Sequence, residues 1–278
     1  MSALQGKDEI ILTAAIVGAE ITREQTPYLP ISPEEIAEEA VRCREAGAAI
    51  IHLHVRNADG SSTQSSEVFQ KAIDAIRART DVIIQTTTGG AVGMSAEERV
   101  QPLKCKPEMA TLNCGSINFG DEIFENSFPV MRDMAKLIRE AGVVPEFELY
   151  EVGHIDNMML LAKEQLIAPP YHVQFVLGVR GAIGARPEVL RFMVSQLPQD
   201  VTWGVAAVGR HQLPMAELAC ELGGNVRVGL EDNIFLEKGV LAEGSAPLVA
   251  RAAMIARAAG REPVSTARAR EILGLASA

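Results

Sequence analysis

The sequence predicts an α/β fold, a single-domain (β/α)8 TIM barrel spanning residues 1–278, and three observations predict it. Eight short, apolar, β-branched runs recur along the chain, each followed by a longer amphipathic stretch. Helix start and stop signals fall between these runs rather than within them. Eight strand–helix units within roughly 250 residues match the size of such a barrel. No linker, low-complexity tract or internal repeat divides the chain. A doubly wound open sheet is the alternative arrangement of the same elements.

The predicted strands are Ile10–Val17, Ala49–Val55, Val82–Thr87, Met109–Asn113, Val144–Tyr150, Val173–Gly178, Val201–Ala207 and Val226–Leu230. Ser32-Pro33-Glu34-Glu35 offers an N-cap, a proline at the first helical position and a glutamate placed to close a capping box. Ser95-Ala96-Glu97-Glu98 repeats that logic, and Arg186-Pro187-Glu188 opens another helix. Gly47, Gly142, Gly223 with Gly224, and Gly260 mark helix ends.

Composition narrows the partners. Hydrophobic residues make up 47% and charged residues 22%, ordinary for a soluble globular protein. A net charge of −10 argues against nucleic acid or an anionic membrane as the main partner. An anionic cofactor stays compatible, because helix N-termini and local basic groups bind phosphate in acidic proteins. The four cysteines, Cys43, Cys105, Cys114 and Cys220, form no C-x-x-C pair and read as buried free thiols of a reducing cytoplasm. The N-terminal MSALQGKDEI has neither the basic nor the apolar region of a signal peptide, and no apolar run approaches bilayer-spanning length.

Barrel active sites form at the C-terminal ends of the strands, which ranks the polar residues there. His52 and His54 lie at the end of Ile-Ile-His-Leu-His-Val-Arg, 50–56. Alternate strand residues share a face, so the two imidazoles sit about 7 Å apart along the backbone. Two converging neutral imidazoles suit a zinc-class metal that takes further N, O or S ligands. A hydrogen-bonded histidine pair at a strand end is the other reading. After the eighth strand, Glu231 and Asp232 are adjacent carboxylates, costly unless paired or bound to a cation. One of them completes a metal site while its neighbour acts as a base, or both simply favour a helix start. Arg227 is suited to hold a substrate carboxylate through a two-pronged hydrogen bond.

Glu146 and Glu148 alternate with Pro145, Phe147 and Leu149 and so share a face, either towards the barrel interior or towards solvent. Thr86-Thr87-Thr88-Gly89-Gly90 offers hydroxyls and approachable amides for an oxyanion or phosphate contact. Glu20, Thr87, Gly90, Thr111 and Asn113 complete the candidate substrate contacts at strand ends. No P-loop, Rossmann fingerprint or nucleophile elbow occurs.

These segments, in this order, resemble the β-keto acid cleavage enzymes, and among them those acting on 3-keto-5-aminohexanoate in lysine fermentation. The matching stretches are LTAAIVGAEIT (12–22), AGAAIIHLHVR (46–56), TTTGGAVGM (86–94), PEMATLNCGSINFG (107–120), VGRHQ (208–212) and VRVGLEDN (226–233). The resemblance implies a (β/α)8 barrel, a catalytic zinc and a homotetramer. It implies an acyltransferase that converts a β-keto acid and acetyl-CoA into acetoacetate and a new acyl-CoA.

By motif, His52, His54 and Glu231 are then the protein ligands of Zn2+. Asp232 is the base that removes a proton from the acetyl-CoA methyl group, its enolate attacking the ketone. Arg227 and Glu148 position that base, and an aspartate beside an arginine is expected to be made less basic. This chain carries Thr87 where the family motif has serine, a more restricted hydroxyl. Glu20 matches a glutamate near the substrate's amino end, which favours a cationic keto acid such as 3-keto-5-aminohexanoate (giving 3-aminobutyryl-CoA) or dehydrocarnitine.

Two rival functions remain in view. Metal-dependent barrel hydrolases also use His-x-His, but after the first strand and with further histidines downstream. Here the pair follows the second strand, and His154, His172 and His211 do not fall in that pattern. A barrel that binds metal or acyl-CoA without turnover has no use for the Asp232, Arg227 and Glu148 set.

Overall fold

Eight parallel strands close into a barrel in chain order in the computed structural model, which describes residues 5–275. They are β1 (Leu12–Ala15), β2 (Ile50–Leu53), β3 (Ile83–Thr86), β4 (Met109–Asn113), β5 (Val144–Leu149), β6 (Tyr171–Leu177), β7 (Val201–Ala207) and β8 (Asn225–Val228). Each pairs with its sequence neighbours, and β8 closes on β1 through Arg227 opposite Thr13. The predicted (β/α)8 barrel is therefore the observed fold.

The helices are α1 (Pro33–Ala46), α2 (Ser66–Arg77), α3 (Ala96–Arg99), α4 (Phe128–Glu140), α5 (Gly153–Lys163), α6 (Pro187–Gln196), α7 (Gln212–Leu222), α8 (Ala246–Ala258) and α9 (Thr266–Leu273). The capping box of α1 forms as its sequence predicts: Glu35 N donates to Ser32 Oγ at 3.2 Å and Ser32 N donates to Glu35 Oε2 at 2.9 Å. Ser95 and Glu98 repeat it at α3. That helix lasts only four residues, because Pro102 lacks an amide proton and disfavours helical geometry just before it; a 3-10 turn, Gln101–Cys105, follows instead. The outward faces of the strands and the inward faces of the helices share one core that includes Phe69, Phe147 and Phe175.

Predicted and observed strand bounds differ by one or two residues at several ends, and three of these departures shape the cavity. The predicted first strand divides: Glu9–Ile10 pairs with Glu262–Pro263 outside the barrel, and only Leu12–Ala15 lines it. The second stops at Leu53, and the chain then forms an antiparallel hairpin, Val55–Arg56 with Ser62–Thr63. Arg56 fastens that hairpin by donating to Gly60 O and Gly18 O at 2.9 and 2.8 Å. The eighth stops at Val228 because Gly229, at φ +147°, packs where any Cβ would stand 2.2 Å from Ala15 O. Among the described residues no helix is long and apolar enough to cross a membrane, and all four cysteines are free and buried.

Candidate active site

Side chains of parallel neighbours at matched register share a face, so the barrel interior can be read from the pairing. His52 lies beside Gln85, Glu146 beside Thr111 and His172, and Glu148 beside Asn113 and Gln174. Glu146 and Glu148 thus point into the barrel, while Phe147 and Leu149 face the helices; both glutamates are buried. The question left open by their spacing is settled in favour of the interior.

At the C-terminal mouth the strand ends enclose a cavity of about 570 Å³. Its polar lining includes His52, His54, Thr87, Glu148, Arg227, Glu231 and Asp232. Val92, Phe119, Phe124, Tyr150, Val176, Val179 and Val208 supply apolar lining. Glu20, exposed, and Gly90 also reach it. Thr111 and Asn113 do not line the cavity. Thr111 braces the loop above it, its Oγ1 accepting from Thr88 N at 3.1 Å while its carbonyl accepts from Thr88 Oγ1 at 2.6 Å. Asn113 is fully buried with its carboxamide unpartnered.

Arg227 organises the charged cluster. Its Nε and Nη2 both donate to the Asp232 carboxylate at 3.0 Å, Nη1 donates to Glu148 Oε1 at 3.1 Å, and Nη2 donates to Glu231 Oε1 at 2.5 Å. One guanidinium faces three carboxylates, so the fully ionised cluster carries net negative charge in a buried place. Glu231 Oε1 lies 3.5 Å from Nε2 of both His52 and His54, and donor atoms of the three residues fall within 4.8 Å of one another. Glu231 Oε2 is buried without a hydrogen-bond partner. Two nitrogens and a carboxylate with a free oxygen, beside surplus negative charge, fit a divalent zinc-class ion. Gly18, at φ +68°, leaves room for Glu231, since a Cβ there would approach its Cγ to 2.7 Å.

Protonation follows from burial and these neighbours. Burial pushes His54 down to about 4, so its ring is neutral and ready to ligate. Burial raises the Glu231 carboxyl, but Arg227 and the two histidines hold it well below the usual range. Asp232 is raised to about 6: burial pushes it up, Arg227 pulls it down, and the charge of Glu231 pushes it up again. The sequence expectation of a less basic aspartate is therefore reversed, because desolvation outweighs the guanidinium.

Thr87 Oγ1 accepts from Gly89 N at 2.8 Å, which leaves its hydroxyl proton free to donate. Sequence reasoning missed the apolar lining. Its two phenylalanines, Phe119 and Phe124, come from the hairpin Ile117–Phe119 with Glu122–Phe124, whose Gly120-Asp121 turn between apolar residues was a legible signal. Tyr150 was missed as well; its hydroxyl stands 3.5 Å from Glu148 Oε2.

Glu146, deeper in the barrel, yields a stability prediction. Burial, then the charge of Glu148, pushes its carboxyl up to about 7 from an ordinary 4.5. Between those two values the folded protein keeps a proton that the unfolded chain has released. Stability therefore falls as pH rises through this window, by at most about 3 kcal/mol. Glu146→Gln should raise the unfolding midpoint at pH 8 and match the parent below pH 4.5, as read by thermal denaturation of the metal-free proteins.

Residues 9–275 match the family model described as beta-keto acid cleavage enzyme. The chain is 50% identical, over 96% of its length and 98% of the relative's, to a 3-keto-5-aminohexanoate cleavage enzyme of Fusobacterium nucleatum. It is 47% identical, over 96% and 99%, to the enzyme of the same name in Acetoanaerobium sticklandii. A 3-dehydrocarnitine:acetyl-CoA trimethylamine transferase of Rhizobium meliloti is 32% identical, over 96% and 97%. Among solved structures, ObcA in binary complex with oxaloacetate superposes at a TM-score of 0.80 with 21% identity, covering 90% of this chain and 68% of that one, which supports the fold.

Proposed function

The chain belongs to the beta-keto acid cleavage enzyme family and is a carbon–carbon-cleaving acyltransferase; from that premise we propose that it is a zinc enzyme converting 3-keto-5-aminohexanoate and acetyl-CoA into acetoacetate and 3-aminobutyryl-CoA. The carrying observation is that His52, His54 and Glu231 converge in the same cavity as the Arg227, Asp232 and Glu148 cluster. The names of the relatives at 50% and 47% identity support the substrate, and a place in lysine fermentation rests on the sequence resemblance. Assembly as a homotetramer rests on the sequence resemblance alone, and a cytoplasmic location on the four free, buried thiols.

The products dictate which proton moves. The new acyl-CoA keeps the keto acid's C3 carbonyl, so acetoacetate must join C2 of the keto acid to the acetyl carbonyl carbon. That bond forms, the acetyl–sulfur and C2–C3 bonds break, and the thiolate ends on C3. The proton removed is therefore on C2, between ketone and carboxylate, and it returns to C2 of acetoacetate after cleavage. The expectation that the base acts on the acetyl-CoA methyl group does not balance and is set aside.

His52, His54 and Glu231 would hold the metal, which when bound supplies Lewis acidity to a keto oxygen. Asp232 takes the C2 proton, and Arg227's double hydrogen bond supplies its aim. Glu148 holds the opposite edge of Arg227. Thr87's free hydroxyl proton is placed for a developing oxyanion.

Glu20 at the rim selects the substrate's ammonium group. The test is turnover of 3-keto-5-aminohexanoate, dehydrocarnitine and neutral 3-ketohexanoate, following new acyl-CoA by mass spectrometry. 3-Keto-5-aminohexanoate should dominate. Glu20→Gln should lower its kcat/KM about tenfold, the lower end for a charged hydrogen bond given the exposure of this site, and leave the neutral acid unchanged. Preference for the neutral acid in the parent protein would overturn the substrate assignment.

A further inference from the structure

His52 has a partner behind the site that the reaction does not touch. Its Nδ1 lies 2.7 Å from Gln85 Oε1, both side chains being essentially inaccessible to solvent. Gln85 sits on β3 directly beside His52, and its strand is paired on both sides, to β2 and to β4. The carboxamide oxygen can only accept, so Nδ1 must carry the ring proton and donate it. In the neutral ring, the form that binds a metal, Nε2 is then left with its lone pair, and Nε2 is the atom that faces Glu231. His54 has no equivalent hydrogen bond among the described residues.

From this geometry we propose that Gln85 is a positioning residue for the metal: it fixes the tautomer and ring orientation of His52 so that Nε2 is the ligating nitrogen. The inference rests on the zinc reading above. The opposite carboxamide orientation would present a donor to Nδ1, force the proton onto Nε2 and block ligation, so the orientation matters chemically. A histidine ligand whose other nitrogen is hydrogen-bonded in this way is held at the right angle before the metal arrives, and loss of such a partner weakens metal binding by roughly 10–100-fold. A carboxylate is the more familiar partner. In this barrel Glu146 and Glu148 already place two buried carboxylates on β5, two strands away, and a neutral amide provides the acceptor without a further buried charge.

Two variants and one spectrum test it. Gln85→Met keeps the volume and removes the acceptor; Gln85→Glu keeps an acceptor oxygen. Zinc affinity, measured by competition with a chromogenic chelator, should fall about 10–100-fold in Gln85→Met and be restored to within a few-fold of the parent in Gln85→Glu. Equal affinity in the parent and Gln85→Met would overturn the proposal, as would equal loss in both variants, which would indicate packing rather than hydrogen bonding. If Gln85→Met does not fold, nitrogen-15 NMR of the metal-free parent decides: the Nδ1–H tautomer of His52 is expected, and the Nε2–H tautomer refutes the role. A parent protein that binds no zinc at all would instead sink the metal reading itself.

Discussion

Asp232→Asn lowers turnover by about 10²–10⁴-fold, the range for loss of a positioned general base, while zinc affinity stays within a few-fold of the parent. Asparagine keeps the shape and one oxygen for Arg227, which now donates to both carboxylate oxygens of Asp232. What it loses is the capacity to hold a proton. The separating measurement is hydrogen–deuterium exchange at C2 of the keto acid with acetyl-CoA omitted, followed by NMR. The parent exchanges C2 with solvent deuterium and the variant does not. Loss of zinc in the variant, or unchanged exchange at C2, would remove Asp232 from the role of base.

The second large effect is at His54. Its ring is kept neutral by burial and lies 3.5 Å from Glu231 Oε1. His54→Ala removes one of three protein donors, and zinc affinity should fall by more than the roughly 100-fold upper end for loss of an outer partner. His54 lines the cavity rather than the apolar core, so the unfolding midpoint of the metal-free variant should stay within a few degrees of the parent. Isothermal titration with zinc, paired with thermal denaturation in chelator, separates the two. Unchanged zinc affinity with a collapsed midpoint would make His54 a structural histidine.

The barrel and the histidine pair were legible in the sequence because both rest on local signals. β-Branched runs, capping residues and helix-closing glycines repeat with the period of a strand–helix unit, and the predicted bounds of Met109–Asn113 and Val201–Ala207 are those observed. His52 and His54 stood out through their spacing, although only His52 remains in the barrel strand. What the sequence could not settle depends on contacts distant along the chain. The inward direction of Glu146 and Glu148 is decided by register with β4 and β6. The stop at Gly229 is decided by its close approach to Ala15. The basicity of Asp232 follows from how deeply the loop after β8 is buried, which no count of neighbouring charges along the sequence reveals.

The most direct test of the reaction follows carbon from acetyl-CoA labelled with carbon-13 at both acetyl positions. The zinc-loaded protein is mixed with this compound and unlabelled 3-keto-5-aminohexanoate, and both products are analysed by mass spectrometry. The proposed bond changes require both labels in acetoacetate and none in 3-aminobutyryl-CoA. Label in the new acyl-CoA, or acetoacetate without label, would contradict the transfer of the acetyl group to C2 on which the roles of Asp232 and Arg227 depend.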